Sequence, residues 1–146
     1  MLPVMITEMD AGRRPARARS INPLVGRKLE FVRLGPALVL SFSGGRQVLI
    51  ETLAHLHGPG GRIEVEPGGD SSDVLATLLG DVVRAARTTG TGELRITFAG
   101  GSELSVGADA DVESWAVAGP DGFLIVCLAR GELAVWGDAA SSQRIT

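Results

Sequence analysis

His55 and His57 stand two residues apart in a stretch that reads as a β-strand, and that spacing puts both imidazoles on one face. Gly58-Pro59-Gly60-Gly61 then turns the chain back, so that Glu64 comes opposite His55. Two imidazoles and a carboxylate form a set that zinc accepts, since a catalytic zinc takes three such ligands. Against this stands the simpler reading of a solvated polar strand face, with no partner in view to orient either imidazole. The chain is therefore expected to hold no metal, with His55, His57 and Glu64 as its weak candidates.

Other chemistry-bearing residues lead to the same place. Cys127 lies within Leu124-Ile125-Val126-Cys127-Leu128, where apolar surroundings raise a thiol's pKa and shut out substrates. Asp109, Asp111 and Glu113 alternate, but no glycine-containing twelve-residue calcium loop follows them. The glycine-rich segments at 58–61, 90–92 and 100–101 lack the downstream Lys-Ser/Thr of a phosphate cradle and read as turns. No Gly-x-Ser-x-Gly and no Cys-x-x-Cys occurs, and there is no tyrosine. No catalytic residue and no cofactor is assigned, and the chain is not expected to be an enzyme. What remains is a set of large apolar groups suited to contact: Phe123, Ile125, Trp115 and Trp136, the tryptophans because that residue is enriched at binding hot spots.

The elements that must position these residues are organised around a stretch written twice. Leu38-Val39-Leu40-Ser41-Phe42-Ser43-Gly44-Gly45-Arg46-Gln47-Val48-Leu49-Ile50 matches Leu94 to Val106, with Phe42 on Phe98 and the Gly-Gly pairs aligned. Alternating apolar residues mark half-buried strands. A three-residue loop, Ser43-Gly44-Gly45, pairs 42 with 46, 40 with 48 and 38 with 50, which turns all the apolar side chains to one core. Such loops end on a residue in the left-handed region, predicted here at Gly45 and Gly101. The match extends to Leu24-Val25-Gly26 and Leu78-Leu79-Gly80 before the copies, and to Gly58-Pro59-Gly60-Gly61 and Gly119-Pro120-Asp121-Gly122 after them. Leu56, Ile63 and Val65 then answer Val117, Leu124 and Val126. That alignment makes Ala116, Ile125 and Cys127 the outward residues. The strand 123–128 is apolar on both faces and is expected in the middle of a sheet or in an oligomer interface.

The fold class expected is α+β, mainly β: antiparallel sheets from two internally repeated four-stranded units with one short helix. Asp70-Ser71-Ser72-Asp73 offers N-caps for that helix, near 71–79, and Val74, Leu75, Leu78 and Leu79 give it helical spacing. Residues 81–87 read as a weak strand. Residues 21–137 form one domain, with the units at about 24–66 and 78–136. Residues 1–20, with Arg13, Arg14, Arg17 and Arg19, read as a disordered basic arm, and 138–146 as a flexible tail.

Four arginines against two acids before Ser20 leave ten basic and fifteen acidic residues for the rest, so the folded part is acidic and no nucleic-acid surface is expected. No run of eighteen apolar residues occurs, so no membrane span is expected. The start lacks a secretory signal's basic and apolar regions, and one cysteine excludes an internal disulfide, so the expected location is cytoplasmic.

Glu113-Ser114-Trp115, Gly119-Pro120-Asp121-Gly122, Val126-Cys127-Leu128 and Gly131-Glu132-Leu133-Ala134-Val135-Trp136 carry a further signal. With Leu24-Val25-Gly26-Arg27 and Phe42-Ser43-Gly44-Gly45, they resemble a family of small actinobacterial proteins known as a domain of unknown function, over about residues 22–137. The resemblance implies a shared fold and source and assigns no functional residue. The expected function is a non-catalytic protein-interaction domain, of immunity or adaptor type, binding a protein partner or a second copy as a dimer. The alternative is a small-ligand binder using a cavity between the two repeat units.

Overall fold

Leu38, Leu40 and Phe42 are buried while Val39 and Ser41 between them are only partly so, and this period of two makes a strand with one face in a core. The structure, a computed structural model, describes Arg13, Arg14 and residues 18–137. Its strands are β1 (Arg13–Arg14), β2 (Arg19–Ser20), β3 (Leu29–Arg33), β4 (Leu38–Phe42), β5 (Arg46–Ile50), β6 (Ala54–Gly58), β7 (Gly61–Val65), β8 (Val83–Thr88), β9 (Leu94–Phe98), β10 (Glu103–Val106), β11 (Trp115–Ala118), β12 (Leu124–Cys127) and β13 (Leu133–Trp136). They form two antiparallel sheets, ordered β1-β13-β12-β11-β5-β4-β3 and β2-β8-β9-β10-β6-β7. The protein is thus mainly β, with short 3₁₀ segments beside the strands.

The two central hairpins close in the register their spacing predicts. Phe42 faces Arg46, Leu40 faces Val48 and Leu38 faces Ile50. Ile96 faces Leu104, Leu94 faces Val106, and the Phe98 amide donates to the Ser102 carbonyl at 2.8 Å. Gly45 (φ 78°) and Gly101 (φ 103°) both occupy the left-handed region, where a side chain would be strained. Gly44 is left-handed too (φ 79°), so the first loop has a second residue that favours glycine.

Each hairpin's successor crosses to the other sheet. β6 pairs with β10, placing Ala54 opposite Val106 and His57 opposite Glu103. β11 pairs with β5, placing Trp115 opposite Ile50 and Ala118 opposite Gln47. Residues 24–66 contribute five strands and 78–136 contribute six, which corrects the expected four for each. The count exceeds four because β3, β8 (at the weak strand expected over 81–87) and β13 all join the sheets, β3 and β8 each leading into a hairpin across a register shift. The segments before β3 and β8 lie side by side. Lys28 bridges to Val82, the Leu29 amide donates to the Asp81 carbonyl, and the Val83 amide donates to the Arg27 carbonyl, both at 2.9 Å.

Between the sheets the side chains are aliphatic, with Leu38, Leu40, Leu94 and Ile96 wholly buried, each contributing about 1.5–3 kcal/mol. The Phe42 and Phe98 rings stack at 6.4 Å. The expected helix is a 3₁₀ segment, Asp70–Leu78, and its buried residues are Ser72, Leu75 and Leu78. That spacing of three is the 3₁₀ repeat, so Leu79 stands 47% exposed where α-helical spacing would bury it. The predicted caps are absent: Gly69 is the N-cap residue and no side chain caps it. Instead the Ser72 hydroxyl donates to the Gly69 carbonyl, and the Ser71 hydroxyl donates to the Glu64 carbonyl, tying the helix to the edge strand β7.

Within the expected disordered arm, β1 pairs with β13 and β2 pairs with β8. The rest of that arm before Ala18, and the expected tail at 138–146, lie outside the described residues. Among the described residues no helix is long and apolar enough to cross a membrane.

Candidate functional site

The two sheets turn very different outer faces to solvent, and each follows from the register. On the six-stranded sheet, Glu64, His55, Ser105 and Arg95 sit side by side across β7, β6, β10 and β9. The next row is Arg62, His57, Glu103 and Thr97. Ser105 and Gly107 are small and lie along the middle of this face, while the flanking strands carry imidazoles on one side and Arg95 with Glu93 on the other. The result is a polar depression of about 390 Å³ with Ser105 and Gly107 at its floor.

Several polar groups around it are engaged with neighbours on the same face. Arg95 Nε donates to Glu93 Oε1 at 2.8 Å, and that carboxylate holds the guanidinium above its ordinary value. Thr97 Oγ1 donates to Glu103 Oε2 at 3.3 Å. His55 Nε2 lies 3.7 Å from Glu64 Oε2, with Glu64 mostly exposed, so the pair contributes at most about 1 kcal/mol. The weak metal candidates are therefore neighbours only in part: His55 faces Glu64, while His57 faces Arg62 and Glu103. Among the described residues, no three His, Cys, Asp or Glu side chains converge to hold a metal ion. Nor is any hydroxyl or thiol of the described residues hydrogen-bonded to either imidazole, so the row lacks a nucleophile joined to its base.

The outer face of the seven-stranded sheet repeats this layout with other residues. One row is Val39, Leu49, Ala116, Val126 and Ala134 across β4, β5, β11, β12 and β13. The second is Ser41, Gln47, Ala118, Leu124 and Trp136. Val39, Leu49, Ala116 and Val126 thus occupy the places held on the other face by Arg95, Ser105, His55 and Glu64. Within these five strands neither row carries a formal charge, while Arg33 of β3, opposite Val39, and Arg13 of β1, opposite Ala134, stand at the ends of the first row. Most are half-buried, and Trp136 is 37% exposed.

Of the contact residues predicted from sequence, only Trp136 reaches this face. Trp115, Phe123 and Ile125 are buried in the core. The cause is one residue of loop length. β6–β7 closes with Gly58 opposite Gly61, whereas across the β11–β12 turn the Gly119 amide donates to the Phe123 carbonyl. One extra residue in a loop exchanges the two faces of the following strand. Ile125 and Cys127 therefore point inward, and Leu124 and Val126 point outward. β12 is an interior strand, third of seven, rather than the middle one. Ala116 is outward as expected, whereas Val39, Leu49, Leu124 and Val126 went unassigned, although the apolar character of both parities in 123–128 was the signal for the last two.

The remaining candidates are structural. The Cys127 thiol donates to the Gly92 carbonyl at 3.4 Å, and burial pushes its pKa up while neighbouring Ser114 pulls the other way. Asp109 Oδ1 accepts from the amides of Asp111 (2.8 Å) and Val112 (3.2 Å), a turn held by an aspartate rather than a calcium loop.

A family model described as a family of unknown function (DUF6188) matches residues 20–137. No curated protein and no solved structure matches the chain.

Proposed function

We propose that this chain, which belongs to the DUF6188 family, is a non-catalytic protein-interaction domain whose contact surface is the outer face of the seven-stranded sheet. One observation carries the reading. Two faces laid out on the same register differ in kind, with charged and polar side chains on one and Val39, Leu49, Ala116, Leu124, Val126 and Trp136 on the other. A sheet face needs only polar groups to meet water. Apolar residues concentrated on one face favour cover by another protein surface that is itself apolar and uncharged. An immunity-type or adaptor role fits such a surface, because each works by stoichiometric binding. The small-ligand alternative, with a cavity between the units, has no observation behind it; Phe42 of one unit stacks on Phe98 of the other.

We also infer that the two units descend from one module. What supports this is the agreement of registers: Ile50 opposite Trp115 with Val106 opposite Ala54, and Gln47 opposite Ala118 with Glu103 opposite His57.

A photo-reactive amino acid placed at Ala118 or at Thr97 tests the binding reading in the cells that make the protein. A discrete protein adduct from position 118 and none from 97 is expected. Folded protein with no adduct from 118 would rule the reading out.

A further inference from the structure

We propose that the polar depression on the outer face of the six-stranded sheet binds the oxyanion group of a small organic molecule, a carboxylate or a phosphate, seated over Ser105 between His55 and Arg95. This site lies on the other sheet from the protein-contact surface and does not depend on it.

The register builds the site. Ser105 of β10 has His55 of β6 on one side and Arg95 of β9 on the other, and Arg87 of β8 stands beyond Arg95 in the same row. Neighbouring strands lie about 4.8 Å apart, so an imidazole and a guanidinium flank the serine from strands roughly 10 Å apart, a gap that admits a group of three or four heavy atoms. Ser105 is 6% exposed, and its short side chain leaves the longer neighbours standing as walls. A polar group this buried ordinarily has a hydrogen-bond partner. Among the described residues the Ser105 hydroxyl has none, and it lines the depression instead.

The balance of donors and acceptors says what kind of ligand completes the site. Each carboxylate on this face already has a donor or a cation beside it. Glu93 Oε1 accepts from Arg95 Nε at 2.8 Å, Glu103 Oε2 accepts from Thr97 Oγ1 at 3.3 Å, and Glu64 Oε2 lies 3.7 Å from His55 Nε2. The donors are left in excess. Arg95 gives only Nε to Glu93, which leaves its two Nη groups, and Arg62, Arg87 and His57 make no hydrogen bond or ion pair to another described residue. A surplus of donors suits a ligand that accepts, and the planar Nη fork of a guanidinium matches two oxygens of a carboxylate or phosphate. A metal ion is the opposite case: the carboxylates do not converge, and Arg62 and Arg95 stand among them.

Size adds the last element. At about 390 Å³ the depression is far larger than an oxyanion alone and falls at the lower end of small-ligand sites. The group therefore belongs to a small molecule whose body runs along His57 toward Arg62, where every wall is polar. The depression is open to solvent, so the bare group is expected to bind with a dissociation constant in roughly the millimolar range.

Titrating the isotope-labelled full chain with sodium acetate and, separately, with sodium phosphate reads this by amide chemical shifts, with sodium chloride holding the ionic strength constant. The amides of His55, Ser105 and Arg95 are expected to shift together and to saturate, with a midpoint of about 1–20 mM. Saturation by acetate alone assigns a carboxylate, by phosphate alone a phosphate, and by both a site for either group. Ser105→Ala keeps the floor and removes the hydroxyl, and is expected to raise the midpoint about threefold. Arg95→Gln removes the fork and is expected to raise it about tenfold. Arg33→Gln, on the edge of the other sheet, is expected to leave it unchanged. Melting temperature monitors the fold, and if Arg95→Gln unfolds, Ser105→Ala decides alone. No saturating shift with either probe up to about 100 mM overturns the proposal. So does a midpoint that the folded variants leave where it was, since the anion then sits elsewhere.

Discussion

The indole Nε1 of Trp115 donates a hydrogen bond to the carbonyl oxygen of Gly92 at 3.0 Å, and both residues are buried. The same oxygen accepts from the Cys127 thiol at 3.4 Å. Trp115 and Cys127 face each other across β11 and β12 in one sheet, whereas Gly92 lies between β8 and β9 of the other. One carbonyl oxygen thus ties the ends of the two sheets together.

Trp115→Phe keeps an aromatic ring in the core but leaves that carbonyl with the thiol alone. The loss of volume and of a buried hydrogen bond is expected to cost about 2–4 kcal/mol. Urea unfolding followed by circular dichroism should show a lower midpoint at unchanged slope.

Gly92 and Gly101 are both left-handed, at φ 87° and 103°, but their surroundings differ. A Cβ on Gly92 would come within 2.8 Å of the Gly131 backbone, while one on Gly101 meets nothing within 4 Å. Gly101→Ala is therefore expected to cost about 1 kcal/mol of backbone strain, and Gly92→Ala about 3 kcal/mol or more. Equal melting temperatures for the two variants would contradict this account.

Burial raises the Cys127 thiol's pKa in the folded protein, so the unfolded chain, with an ordinary value of about 8.5, loses its proton first. The unfolded state then binds fewer protons, and stability is complete below about pH 8.5 and declines above it as pH rises toward and through the folded value. The slope is at most about 1.4 kcal/mol per pH unit. Cys127→Ala is expected to remove that alkaline decline when unfolding is measured between about pH 7 and about pH 10. A decline of the same size in the variant would assign it to other groups.

The 3₁₀ repeat separates two leucines that an α-helix would treat alike. Leu75 is wholly buried and Leu79 is 47% exposed. Leu75→Ala is expected to cost about 2–5 kcal/mol and Leu79→Ala under about 1 kcal/mol. Thermal unfolding of the two proteins side by side gives the comparison.

Local signals went far in this chain because β-structure with glycine turns writes its register into short range. The alternation of Leu38, Leu40 and Phe42 with Val48 and Ile50 admits one loop length that buries them all, and Gly45 and Gly101 stand where that loop needs the left-handed region. The opposition of His55 to Glu64 was legible for the same reason, since only two residues separate Gly58 from Gly61. The helix near 71–79 was legible as an element but not as a 3₁₀ turn, because Leu75 and Leu78 fit both periods and only packing under β7 and β3 selects between them.

The amino-acid sequence by itself determined the strands, the hairpin loops and the aliphatic core, since each depends on residues close in the chain. Only the tertiary structure decided which sheet each hairpin joins and which parity of β12 faces out. One residue more in the 119–123 turn than in the 58–61 turn exchanges Ile125 for Val126 at the surface. That exchange becomes visible only when β12 is paired with β11 and β13 against a core, and it is what moves the candidate contact surface from buried Trp115, Phe123 and Ile125 to Leu49, Ala116 and Val126.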